Sequence, residues 1–135
     1  MARVFIVEDH TLLRTTLRDF LLDEPDLQVV GDAGSAETAL EALEGLAHCA
    51  PDVVLVDVSL PGMSGIEFVK RLARLHPHVA CVMLSGHGET DDVEDALAAG
   101  ARGYVVKGSS DEVPAAIRTV LAGDRHVSFT PLGKV

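Results

Sequence analysis

A chain of 135 residues, 47% of them hydrophobic, is long enough for one domain with a sizeable core. Its formal net charge of −10 and pI of about 4.8 weigh against binding nucleic acid by itself, because phosphate backbones attract lysine and arginine. No apolar run approaches the ~20 residues of a membrane span and no signal peptide opens the chain, while Cys49 and Cys81 are too few and too scattered for a disulfide framework or a zinc site. The expectation is a cytoplasmic protein with buried free thiols and no membrane partner.

Val4-Phe5-Ile6-Val7 is the first unbroken apolar run, and it ends in Glu8-Asp9-His10. Leu13, Leu17, Phe20 and Leu21 then share one face of a helix. Asp23-Glu24-Pro25-Asp26 stops that helix, and Leu27 to Val30 reads as a less apolar strand nearer an edge. Ser35 suits an N-cap for a helix with Ala36, Ala39, Leu40, Leu43 and Ala47 inward.

Val53-Val54-Leu55-Val56 is a second unbroken run, short enough for a strand buried on both faces. It delivers Asp57 to the edge of the core, ahead of the turn Leu60-Pro61-Gly62. Taken alone, Asp57 is either a site residue at a strand end or a loop acid capping the next helix. Ser64 and Glu67 form a capping-box pattern for a helix with Ile66, Val69, Leu72 and Ala73 inward. Val79 to Leu84 is another strand, ending in Ser85-Gly86-His87-Gly88. Thr90 to Ala99 is a short acidic helix with only Val93, Ala96 and Leu97 to bury, and Gly100 ends it. Gly103 to Val106 is the last strand and ends in Lys107. Val113, Ala116, Ile117, Val120 and Leu121 form the final helical face, with Pro114 near its first turn. Residues 1–123 form the domain; 124–135 show no period and read as a tail or the start of a linker.

Five strands alternating with five helices imply an α/β fold with a parallel sheet covered on both faces. Periodicity does not give the strand order. A parallel sheet gathers its strand C-termini on one edge, so Glu8, Asp9, Asp57, Ser85 and Lys107 can converge there. Three crowded carboxylates repel one another, and a divalent metal relieves this. Mg²⁺ takes hard oxygen ligands and works with one or two carboxylates plus a phosphate oxygen. A serine hydroxyl and a lysine ammonium can contact the remaining phosphoryl oxygens. The set suits phosphoryl transfer to an aspartate, a known form of covalent catalysis.

Each element is weak alone; together and in this order they resemble the receiver domain of bacterial two-component response regulators. The resemblance covers about residues 3–122. It rests on Val7-Glu8-Asp9-His10, Asp57-Val58-Ser59-Leu60-Pro61-Gly62-Met63-Ser64-Gly65, Leu84-Ser85-Gly86, Ala98-Ala99-Gly100-Ala101 and Gly103-Tyr104-Val105-Val106-Lys107. It implies a flavodoxin-like three-layer sandwich with a five-stranded sheet in the order 2-1-3-4-5, an order for which receivers are a known example. It implies that Asp57 accepts a phosphoryl group from a histidine kinase. Glu8, Asp9, Asp57 and the backbone carbonyl of Ser59 would hold Mg²⁺. Ser85 and Lys107 would contact the phosphoryl group, and Tyr104 would act with Ser85 as an aromatic switch. Such a domain is a signalling phosphoacceptor that assists its own phosphorylation and dephosphorylation, not an enzyme acting on a separate substrate.

Asp9-His10, Lys107-Gly108-Ser109-Ser110 and Val120-Leu121-Ala122-Gly123 resemble regulators with a LuxR/NarL-type helix-turn-helix output domain. No such domain fits after Gly123, so DNA contact would need an output domain absent from this chain. The tail favours a receiver from a longer transcription regulator over a stand-alone receiver acting through protein contacts. Homodimerisation on phosphorylation is the other contact this resemblance suggests. Ser85 and Gly86 replace the commoner threonine and alanine, and His87 stands where family members tune self-hydrolysis.

Three other classes fit less well. A flavodoxin needs a phosphate-cradling loop after the first strand, where Glu8-Asp9 would repel a phosphate. A dehalogenase-type phosphatase needs a second acid two residues after its nucleophile, where Ser59 stands. An interaction module that has lost phosphorylation would lack part of this residue set, and all of it is present.

Overall fold

The computed structural model describes residues 1–46, 50–86, 90–106 and 111–127. The elements alternate: β1 (Ala2–Val7), α1 (Thr11–Leu22), β2 (Leu27–Ala33), α2 (Ala36–Gly45), β3 (Val53–Asp57), α3 (Gly65–Leu75), β4 (Ala80–Ser85), α4 (Thr90–Ala99), β5 (Gly103–Val106), α5 (Val113–Leu121) and β6 (His126–Val127). All strand pairs are parallel, in the order β2-β1-β3-β4-β5-β6. The flavodoxin-like order is as expected, and β2 lies at the edge.

Among the described residues the sheet has six strands rather than five. The His126 N–H donates to the Arg102 carbonyl at 3.0 Å, and His126 and Val127 pair with Gly103 and Tyr104. Two residues held by backbone hydrogen bonds leave no periodic signal, which is why nothing in 124–135 announced them.

The apolar runs are unbroken because the sheet is covered on both faces. Phe5, Val7, Val54, Val56, Cys81, Met83 and Tyr104 point to α2, α3 and α4. Their alternates Val4, Ile6, Val53, Leu55, Val82, Leu84 and Val105 point to α1 and α5. Fully burying a Val, Leu or Phe side chain contributes roughly 1.5–3 kcal/mol, so these two layers dominate the folding energy. Gly31 belongs to the same packing: a Cβ there would lie 2.8 Å from the Phe5 ring.

The expected helical faces are buried in the main, and the exceptions are single positions. Phe20 on α1 is exposed, because the Leu13, Leu17 and Leu21 stripe suffices to cover the sheet. On α3 the buried set is Gly65, Phe68, Val69 and Leu72, while Ile66 is half-buried and Ala73 is exposed. Leu121 ends α5 exposed, and Ala47 lies outside the described residues. Ser35 and Ser64 do cap their helices, accepting from the N–H groups of Thr38 and Glu67 at 3.1 Å each. The Glu67 carboxylate accepts from Arg71 Nε at 3.2 Å, so this box is used on its serine side.

Cys81 is a buried free thiol, as expected, whereas Cys49 lies outside the described residues. Burial pushes the Cys81 thiol from its ordinary 9.0 up to about 12. Between those values the unfolded chain releases the proton while the folded chain keeps it. The contribution to stability is therefore full below 9.0 and is lost as pH rises toward about 12. The slope is up to ~1.4 kcal/mol per pH unit. Urea unfolding from pH 8 to 11 should show wild type losing stability faster than Cys81→Ala. Parallel curves would mean the thiol is not sequestered.

Candidate functional site

From β1 the chain crosses through α1 to β2 on one side, then through α2 to β3 on the other. The loops leaving β1 and β3 therefore diverge, and such a switch point opens a crevice at the strand C-termini. Glu8 and Asp9 follow β1 directly, and Asp57 is the last residue of β3. Fold topology alone thus delivers the three carboxylates to one place.

One oxygen from each of Glu8, Asp9 and Asp57 lies within 4.8 Å of the others. Glu8 and Asp57 are buried and Asp9 is exposed. Glu8, Asp9, His10, Leu13, Asp57 and Ser59 line an open pocket of about 430 Å³. The Ser59 N–H donates to Asp57 Oδ1 at 3.0 Å and fixes the plane of that carboxylate. The His10 N–H donates to Glu8 Oε2 at 3.0 Å, and Arg14 Nη1 donates to the Glu8 carbonyl at 2.6 Å. His10 also caps α1, its Nδ1 accepting from the Leu13 N–H at 3.3 Å.

Like charges this close repel strongly in a partly desolvated site. The donor set is all carboxylate oxygen, so it fits a hard divalent cation such as Mg²⁺ and does not fit a soft metal. The site can hold a metal ion, and it opens on the pocket from which an anion could approach.

Ser85 ends β4 and is buried, opposite Val106 in the β4–β5 register. It lies one residue past Leu84, the register partner of Asp57. Tyr104 is wholly buried within the α2–α3–α4 layer. Lys107 and His87 lie outside the described residues.

Sequence reasoning had no role for Leu13 in lining this pocket, or for Arg14 in holding the Glu8 carbonyl behind it. Arg14 stands four residues after the cap His10, where a helical residue turns back over the strand end. That spacing was the available signal.

A family model described as the response regulator receiver domain matches residues 4–118. The response regulator GacA of Pseudomonas viridiflava is 43% identical over 129 residues, 95% of this chain and 59% of that protein. The chain thus spans about three fifths of the curated relatives' length. A two-component response regulator of the LuxR family from Aurantimonas sp. SI85-9A1 superposes with a TM-score of 0.86 at 32% identity, over 95% of this chain and 90% of that one. The signal receiver domain of the putative response regulator NarL from Mycobacterium tuberculosis gives 0.82 at 32% identity, over 90% of this chain and 97% of that one. The acid pair after β1, the aspartate ending β3 and the β2-β1-β3-β4-β5 order are thus framed by a match over most of the chain, and the protein belongs to the response regulator receiver domain family, with LuxR-type receivers among its structural neighbours.

Proposed function

We propose that Asp57 accepts a phosphoryl group from a histidine kinase, with Mg²⁺ held by Glu8, Asp9, Asp57 and the Ser59 carbonyl. The observation that carries this reading is the convergence of three carboxylates at the switch point, open to a pocket on one side. When bound, Mg²⁺ supplies the positive charge that offsets the carboxylates and the phosphoryl oxygens. A carboxylate oxygen of Asp57 forms the new bond to phosphorus as the phosphohistidine N–P bond breaks, its electron pair staying on the imidazole nitrogen. The Ser59 N–H keeps the Asp57 carboxylate in one orientation for this attack. Ser85 and Lys107 contact the transferred group.

Phosphorylation then reshapes the face made by α4, β5 and α5. An inward Tyr104 ring belongs to the state that a bound phosphoryl group favours, and the shift is limited to the difference in affinity between two states. The chain acts in the cytoplasm as the regulatory part of a LuxR/NarL-type transcription regulator. DNA is contacted through a helix-turn-helix output domain, and phosphorylation promotes self-association. The net charge of −10 supports assigning DNA binding elsewhere.

Acetyl phosphate should add one phosphoryl mass in the presence of Mg²⁺ and none in excess EDTA. Asp9→Ala should weaken Mg²⁺ binding, yet raise the urea midpoint of the metal-free protein by relieving repulsion. Equal labelling in EDTA, or a lower metal-free midpoint for Asp9→Ala, would contradict a mutually repelling metal site.

A further inference from the structure

The loop between β3 and α3 carries Ser59 and ends at the Ser64 cap. It is held at its near end, where the Val58 N–H donates to the Leu84 carbonyl at 2.9 Å and the Ser59 N–H to Asp57 Oδ1 at 3.0 Å. Leu60 is buried in the core. The far end is held from a different element. The Met63 N–H donates to Glu37 Oε2 at 3.0 Å, and Glu37 stands in the first turn of α2. Gly62 lies under the same carboxylate: its φ is +72°, and a Cβ there would lie 2.8 Å from Glu37 Oε2. A left-handed backbone and a close carboxylate both call for glycine at this point.

We infer that Glu37 is a positioning residue for the phosphoryl-transfer site, clasping the Gly62–Met63 turn and thereby setting where Ser59 presents its carbonyl. Three observations support this. The anchor is firm: Ala36 and Ala39 beside Glu37 are wholly buried, and Ser35 caps the helix. The contact is charge-assisted, a carboxylate accepting from a backbone N–H at 3.0 Å. The N–H groups of Glu37 itself and of Met63 hold this carboxyl below the usual carboxylate range, with Arg71 adding in the same direction, so the acceptor is ionised at neutral pH. Glu37 itself is exposed and stands outside the lining of the acidic pocket, so it acts through the loop.

The inference rests on the metal and phosphoryl site proposed above, and its test separates the two. The 135-residue chain is compared as wild type, Glu37→Ala and Glu37→Gln. Glutamine keeps a carbonyl oxygen for the Met63 N–H. The readouts are Mg²⁺ affinity by calorimetry, amide exchange at Met63 and Ser59 by NMR, and the urea midpoint. Removing a supporting shell around a metal site costs about 10-fold to 100-fold in affinity, and a more remote loop anchor should fall near the lower figure. Glu37→Ala should therefore weaken Mg²⁺ binding by up to ~10-fold and speed exchange at both amides, with glutamine restoring most of each. A Glu37→Ala protein with a lower urea midpoint but wild-type exchange at both amides would overturn the positioning role. So would glutamine behaving like alanine, or fast exchange confined to Met63 with Ser59 unmoved. If wild type binds no Mg²⁺, the metal site fails, while the two amides still decide whether Glu37 holds the loop.

Discussion

Gly65→Ala should be among the most damaging single substitutions in this chain. Gly65 opens α3 and is buried against the end of β3, its N–H donating to the Val58 carbonyl at 3.1 Å. A Cβ built on it would lie 2.0 Å from the Asp57 carbonyl oxygen and 2.9 Å from both Asp57 C and Val58 Cα. All three obstacles are backbone, so no side chain can swing aside. The methyl group must push α3 away from the strand that carries Asp57. Overpacking of this kind costs about 1–3 kcal/mol, and the upper end applies where backbone must move. With a urea m-value of roughly 1–3 kcal/mol/M the midpoint should fall by about 1–3 M. The same displacement moves Asp57 relative to Glu8 and Asp9, so acetyl phosphate labelling should slow as well. Gly45→Ala is the control: it ends α2 with nothing within 4 Å of a new Cβ. That change should leave the midpoint unchanged or raise it. A Gly65→Ala protein that unfolds with wild type would contradict the close approach of α3 to β3.

The second large effect concerns Asp57. An asparagine there fills the same space but is neutral and is not a nucleophile. Labelling should drop to background. Metal-free stability should hold or rise, because one of three crowded charges is gone. Those two outcomes together separate loss of the acceptor from loss of the fold.

Much of this was readable from the residues, and the exceptions have physical causes. Asp57 could be picked out only together with the acid pair, serine and lysine at the other strand ends, since an acid closing an apolar run can equally cap the next helix. The parallel sheet followed from strand and helix alternation, but the switch point followed only from the resemblance, since periodicity carries no neighbour information. On α3, Val69 and Leu72 are buried as expected and Ile66 packs partly buried against the core, but Ala73 is exposed and Gly65 and Phe68 were missed. Gly65 has no apolar signal, yet close backbone packing buries it and turns Phe68 inward with it. Phe20 went the other way: its position fits the stripe, but Leu13, Leu17 and Leu21 already fill the space against the sheet. Glu37 looks in sequence like any acidic residue in a first helical turn. Its hold on Met63 lies 26 residues away along the chain, a relation no local pattern encodes.

The proposed role of Asp57 as phosphoryl acceptor can be tested on the acceptor itself. Its most direct test is to phosphorylate wild type and Asp57→Asn with acetyl phosphate and Mg²⁺, then locate the added mass by peptide mapping under conditions that spare acyl phosphates. Wild type should carry one phosphoryl group on the peptide containing Asp57, and the variant none. A label of equal stoichiometry on Asp57→Asn, or a wild-type label mapped to any other residue, would contradict it.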